Sequence, residues 1–343
     1  VFGNDTITPV IYEDNEKNYD VINFTGGSSL QNNSITYNKS ANGDDLIITT
    51  RTSGNTGWGS TPIQWTTQGT LTYSDFFDSN TIHNNLIVKD YNGMYNIESY
   101  NEAANIDWST TYEDTSNPHV AFLNATEGTN TVTTGGYQNI IYNEGGANLT
   151  LNYNTQYGSD NKVDVKSLSE TDDTYNINYF SDSKSIKITD NGGDDTLNIN
   201  ADLEDMHLMF NVNANNGTTG DKVFIVNTTN YAELGGYISN GYTKAANLLN
   251  GYNEWVNGTI SIDAVKTGDD PISIETVNTN DVEDVDMAAW YDDIKQAVAG
   301  WLGDNGYSSA AEVFASNDSD AKNALFQVYA DTNNAFISGI NQG

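Results

Sequence analysis

Between Thr174 and Val212, four short segments repeat at a fixed interval, and that interval limits the fold more than any other feature of the chain. Apolar residues recur eleven positions apart at Tyr175, Ile186, Leu197 and Leu208. A second register follows at Ile177, Ile188, Ile199 and Phe210. Within each segment apolar and polar residues alternate, as they do in a strand with one face in and one face out. Constant spacing between segments makes each strand and its turn a repeating unit. Such a unit cannot bury its inner face alone and must stack on its neighbours. The expected fold class is therefore mainly β, a parallel β-roll or β-solenoid with a small C-terminal helical region. A meander sandwich is the alternative, and the near-constant spacing argues against it. Val163 with Val165, and Val223 with Ile225, continue the theme more loosely.

Three parts are expected along the chain. Residues 1–120 read as a β module of less regular pattern, and residues 121–280 as the solenoid. An inserted loop or helix is expected near 231–253, where Ala245-Ala-Asn-Leu-Leu interrupts the strands. Residues 281–343 read as helical. Met287, Trp290, Ile294, Ala297, Val298, Trp301 and Leu302 fall on one helical face. Gly303 and Gly306 are expected to end that helix. Ser309 and Glu312 have capping-box spacing for a second helix, and a third is expected from Asp320 to Ala330.

The composition suits thin stacked layers, since only 37% of the 343 residues are hydrophobic. Charge is its strongest signal, with 47 acidic residues against 13 basic ones and a net charge of −34. Repulsion of that size opposes compaction unless it is neutralised. A hard divalent cation held by carboxylate and carbonyl oxygens is one solution, and a halophile's solvated acidic surface is another. The same charge excludes nucleic acid as a partner, because that affinity rests on Lys and Arg at phosphates. No stretch is long and apolar enough to suggest a membrane span. Cysteine is absent, so there is no disulfide framework, catalytic thiol or thiolate zinc site. Val1 opens no signal peptide, which fits either export without an N-terminal signal or a chain that starts within a repeat.

The clearest motif runs from Asp190 to Ile199 and reads D-N-G-G-D-D-T-L-N-I. Laid on the calcium nonapeptide G-G-x-G-x-D-x-U-x, it places Gly193 at the third glycine, Asp195 at the aspartate and Leu197 at the large apolar position. The candidate ligand loop is Asp190, Asn191, Gly193, Asp194 and Asp195. A second partial copy, A-N-G-D-D-L-I from Ala41 to Ile47, offers Asn42, Asp44 and Asp45. Weaker copies start at Gly3, Gly158 and Gly220. Glycines let the backbone turn close to an ion, and the aspartates supply charge. The plain reading of such loops is an Asx turn between strands.

The residues from Ser34 to Gly93 resemble the haemolysin-type calcium-binding region that follows RTX repeats. There, as here, a G-D-D-L-I-I-T strand precedes G-T-L-T-Y-x-D-F-F and a D-Y-N-G turn. The tail around Ala297 to Tyr307 is similar to the C-terminal region of type I-secreted RTX adhesins and S-layer-like proteins. The resemblance implies Ca2+ as the cofactor, export by an uncleaved C-terminal signal and a secreted, cell-surface location.

Catalytic motifs are missing from the sequence. His83, His119 and His207 are scattered and form no metal-binding spacing, and His207, at a strand start, is expected to be solvent-exposed. No G-x-S-x-G or phosphate loop is present. Trp58 and Trp65, flanking a Gly-rich stretch, could meet sugar faces or simply pack at an edge. The expected function is thus non-enzymatic: a calcium-binding, self-associating surface protein of the S-layer, filament or matrix kind. The alternatives are an adhesin fragment that binds a glycan or receptor, and the export module of a secreted hydrolase.

Overall fold

The computed structural model describes residues 4–7, 19–23, 35–41, 43–53, 65–77, 83–90, 93–109, 119–135, 138–152, 162–167, 170–178, 185–215, 217–235, 241–249, 257–264 and 272–341. The first strands are β1 (Asn4–Ile7), β2 (Tyr19–Asn23), β3 (Ile35–Lys39), β4 (Leu46–Ser53), β5 (Trp65–Tyr73), β6 (His83–Asp90) and β7 (Gly93–Tyr100). Four of them form one sheet in the order β1-β5-β4-β3. Its apolar side covers the outer face of a larger sheet. Phe77 meets Phe122 edge-on at 4.8 Å, and the Tyr142 hydroxyl donates to the Tyr37 carbonyl at 2.7 Å.

From residue 105 the chain winds as a solenoid. Its strands are β8 (Asn105–Asp107), β9 (His119–Leu123), β10 (Thr129–Thr133), β11 (Gln138–Asn143), β12 (Asn148–Asn152), β13 (Lys162–Ser167), β14 (Thr174–Ile177), β15 (Ser185–Asp190) and β16 (Thr196–Ile199). Even-numbered strands pair in parallel in one sheet. Odd-numbered strands from β7 pair in parallel in the other. The chain therefore alternates between two facing sheets, and the eleven-residue unit is half a coil. A full coil is twice that, as Asn176 paired with Asn198 shows. Leu149, Leu151, Tyr175, Ile177, Leu197 and Ile199 point inward from one sheet, and Val163, Val165, Ile186 and Ile188 from the other. All are buried, and each such aliphatic side chain contributes about 2 kcal/mol. The parallel β-solenoid expected from the period is the fold observed.

The period continues to Leu208, but the coil does not. β17 (Met206–Asn213) pairs antiparallel with β18 (Gly217–Asn227), which pairs antiparallel with β19 (Thr259–Ala264). Only β19 returns to the solenoid, in parallel beside β15, and β20 (Thr276–Asn278) follows beside β16. The reason lies in the side chains. A solenoid strand needs a polar outer face, whereas β17 has Met209 between Leu208 and Phe210 and is buried on both faces. α1 (Thr228–Leu234) and α2 (Gly241–Leu249) lie in the stretch between β18 and β19.

After β21 (Val285–Asp286), three helices cover the far face of β17: α3 (Met287–Asn305), α4 (Ala310–Ala315) and α5 (Ser319–Ile340). The Asp286 carboxylate caps α3 by accepting from the Ala289 N–H at 3.0 Å. Gly306, at φ +74°, ends the helix, while Gly303 lies inside it. At α4 the Ser309 hydroxyl accepts from the Glu312 N–H at 3.2 Å. The reciprocal bond to the Glu312 carboxylate comes from Ser308 N–H at 2.9 Å, one residue earlier than in a standard capping box. α5 runs past Ala330 to Ile340, because Asn333 and Ile337 continue its buried face. No helix among the described residues is long and apolar enough to cross a membrane.

Candidate metal centre

Parallel stacking puts the same corner of successive coils in columns. Ser167 pairs with Asp190, and Tyr142 with Lys166, which sets Asn143 beside Ser167. On the facing sheet Thr174, Thr196 and Thr276 share a rung column, so the residues just before them, Asp173, Asp195 and Glu275, stack as well. The Asp173 N–H donates to Asp195 Oδ1 at 2.7 Å, and the Asp195 N–H donates to Glu275 Oε2 at 2.7 Å. Asp195 and Glu275 thus each accept from the backbone of the coil before them.

This corner gathers the carboxylates of Asp173, Asp190 and Asp195, with ligand oxygens all within 4.8 Å of one another. The three residues are 1%, 0% and 1% exposed. Asp173 accepts from Asn143 Nδ2 at 2.8 Å and from the Ser167 hydroxyl at 2.6 Å. Asp190 accepts from the Tyr175 hydroxyl at 2.5 Å and from the Gly192 N–H at 2.8 Å. Asp195 Oδ2 is buried and accepts nothing. Burial and the like charges of Asp190, Asp173 and Glu275 push the Asp195 carboxyl up to about 8, against the pull of the Asp173 N–H. Burial first, then the Asp190 charge, moves Asp173 up to about 6 despite the hydrogen bond from Ser167. Asp190 is also raised, chiefly by burial. Like charges this close need either shared protons or a cation. An all-carboxylate donor set suits a hard, oxygen-seeking ion such as Ca2+ or Mg2+. Every other oxygen of the trio accepts a hydrogen bond yet keeps a second lone pair.

The sequence motif supplied Asp190 and Asp195 and overlooked Asp173, which sits in a glycine-free turn. The doubled repeat would have found it, since Asp173 precedes Asp195 by one full coil. Gly192 and Gly193 have φ of +121° and +147°. Gly192 presents its N–H to Asp190, so at this position the turn caps a carboxylate. A Cβ on Gly193 would lie 2.4 Å from the Thr171 carbonyl oxygen. Gly193→Ala is therefore expected to lower stability by about 3 kcal/mol or more, measured from the urea midpoint. Gly43→Ala, with φ of +84° but open space around the site, should cost about 1 kcal/mol. Asn191 is half-buried, and Asp194 is exposed with its N–H donating to Asp172 Oδ1 at 2.9 Å.

The second candidate loop is a hairpin turn between antiparallel β3 and β4, not a corner between stacked parallel coils. Asp44 is exposed there, and Asp45 Oδ1 accepts from the Asp75 N–H at 3.0 Å. Asn42 lies outside the described residues, as do Gly3, Gly158 and Trp58; of Trp65 only the backbone, in β5, is described. His207 is buried where the sequence suggested exposure. It stacks on Tyr231 at 4.2 Å, its Nδ1 has no partner, and burial lowers its pKa to about 4. His119 is also buried, stacked on Trp108 at 5.1 Å.

No protein-family model, curated protein or solved structure matches the chain. Its class is set by its own architecture, a mainly β protein built on a parallel β-solenoid with a small C-terminal helical region.

Proposed function

We propose that the chain is a calcium-binding structural protein of the extracellular surface, with one ion stapling two successive coils through Asp173, Asp190 and Asp195. The observation that carries this reading is Asp195 Oδ2, a buried carboxylate oxygen without a partner beside two further buried carboxylates. A site so enclosed is reached by an ion and not by a macromolecular substrate, which favours a scaffold over a catalyst. Calcium suits it better than magnesium because Ca2+ tolerates irregular, anhydrous oxygen shells. The net charge of −34 and the resemblance to RTX surface proteins support secretion into calcium-rich surroundings and self-association there.

Thermal melting in chelator and in millimolar Ca2+ tests the staple. Calcium at a hundred times its Kd should add about 2.7 kcal/mol of stability. Asp195→Asn should abolish that response, and magnesium should reproduce only part of it. A wild-type melting temperature indifferent to both chelator and calcium would overturn the reading. Light scattering on calcium addition reads the assembly part separately.

A further inference from the structure

The outer face of the even-numbered strands is built differently from the rest of this acidic molecule. Its register sets three columns along the solenoid. Thr129, Asn148, Thr174, Thr196 and Thr276 form the first. Thr131, Thr150, Asn176, Asn198 and Asn278 form the second. Thr133 pairs with Asn152 in the third, which Asn178, Asn200 and Asn280 continue just past the strand ends. From β10 to β20 none of these positions carries a charge, and the first strand of the sheet, β8, extends the last two columns with Asn105 and the acidic Asp107. The outer face of β13, β15 and β19 is the contrast, with ion pairs Lys166–Asp164 at 3.5 Å and Lys187–Asp263 at 3.0 Å.

At the C-terminal end of these columns lies an open trough of about 280 Å³. It is lined by Asn176, Asn178, Asn198, Asn200, Asn278 and Asn280, with Glu283 as the one charged residue on its wall. We propose that this trough binds a neutral glycan, laid along the solenoid axis.

The hydrogen-bond inventory supports that ligand. Asn198 Nδ2 donates to Asn176 Oδ1 at 2.7 Å, and Asn278 Nδ2 donates to Asn198 Oδ1 at 2.7 Å. Asn178 Nδ2 donates to Asn152 Oδ1 at 2.6 Å in the next column. A primary amide has two N–H donors and two lone pairs. Within its ladder Asn198 spends one of each and keeps one of each for a ligand. A sugar hydroxyl likewise donates once and accepts in return, so the two kinds of group match. The ladder fixes the amides in advance, which lowers the ordering cost of binding. Rungs repeat about every 4.8 Å, so a polymer that repeats its hydroxyls meets a fresh amide pair at each rung. Anionic glycans are disfavoured by the net charge of −34, and the trough holds no acid-binding cation. Its volume lies at the lower limit of small-ligand clefts, which suits a short stretch of a longer chain lying across it.

Affinity electrophoresis through gels containing dextran, mannan, xylan or mixed-linkage β-glucan tests the proposal, with hyaluronate as the acidic comparison. At least one neutral polysaccharide should retard the protein, and hyaluronate should not. The double variant Asn178→Ser, Asn200→Ser removes two exposed amides and should weaken that retardation about tenfold at an unchanged melting temperature. Glu283→Gln, also exposed, is a second probe that should weaken it severalfold. Retardation by none of the four overturns the proposal, as does retardation equal in wild type and double variant. Uptake of the protein into growing ice without any retardation would also overturn it, by assigning the array to a water lattice.

Discussion

In chelator, the protein is expected to lose stability as pH rises from about 6.5 to 8, and calcium should erase that loss. Asp195 has its carboxyl raised to about 8 and Asp173 to about 6, whereas an unfolded aspartate titrates near 3.9. Between those limits the folded state holds protons that the unfolded state has released. Such groups stabilise fully below the unfolded pKa, and that contribution is lost as pH rises through the folded values. Asp195 alone should cost about 2 kcal/mol across the window, since one pKa unit corresponds to about 1.4 kcal/mol. His207 works in the opposite sense and below this window. Its folded pKa of about 4 lies under the ordinary 6.5, so it withdraws stability as pH falls from 6.5 towards 4. His207→Phe should keep the stack on Tyr231, remove that acid limb and leave the alkaline limb unchanged. With calcium bound, the carboxylates stay ionised and binding releases protons between pH 6 and 8. Melting curves at several pH values, with calcium and with chelator, check both signs. A chelated protein equally stable at pH 6.5 and 8, or an Asp195→Asn variant with the wild-type slope, would remove the cluster from the account.

The same register that makes this cluster explains how much of it could be read in advance. Tyr175, Ile186 and Leu197 announced stacked strands because a solenoid needs one apolar face per unit, and that need leaves a spacing in the sequence. Asp190 and Asp195 were legible because their turn carries the glycine pair that a tight corner demands. Asp173 reaches the same point from a turn of different length and composition, so only the stacking of Thr174 on Thr196 reveals it. The Asn42–Asp45 loop has similar local chemistry but joins antiparallel strands, and no local motif distinguishes a hairpin from a coil corner. Leu208 keeps the spacing yet leaves the coil, since Met209 gives its strand a second apolar face. What covers that second face is the set of helices α3, α4 and α5 far along the chain, partners that periodicity does not name.

Asn333→Leu should be among the most damaging single substitutions in the chain, because its amide satisfies both backbone groups of Leu208 on the sheet's edge. β17 ends the larger sheet, and half of its backbone groups point away from β18. An unpaired edge is a template for aggregation unless something covers it. Asn333, on α5 and fully buried, accepts at Oδ1 from the Leu208 N–H at 2.8 Å and from Trp290 Nε1 at 3.0 Å. Its Nδ2 donates to the Leu208 carbonyl at 3.1 Å and to the Tyr329 carbonyl at 2.7 Å. The amide therefore imitates a neighbouring strand and uses its whole capacity. Leucine fills a similar volume but strands the Leu208 N–H, the Leu208 carbonyl and the Trp290 N–H inside the core. Each orphaned group costs about 1–3 kcal/mol, so a total of about 3–9 kcal/mol is expected in urea unfolding. Asn333→Asp should fare no better, since a carboxylate cannot donate to either carbonyl. Tyr329→Phe is the calibrating change, as it removes one 2.6 Å bond to the Phe210 carbonyl from the same edge and should cost about 1–2 kcal/mol. If Asn333→Leu costs no more than Tyr329→Phe, the Asn333 amide is no clasp and the helices are held to β17 by their apolar contacts and remaining hydrogen bonds. A large excess shows that the polar clasp holds the helical region to the solenoid, and the variant should then aggregate through the bared strand.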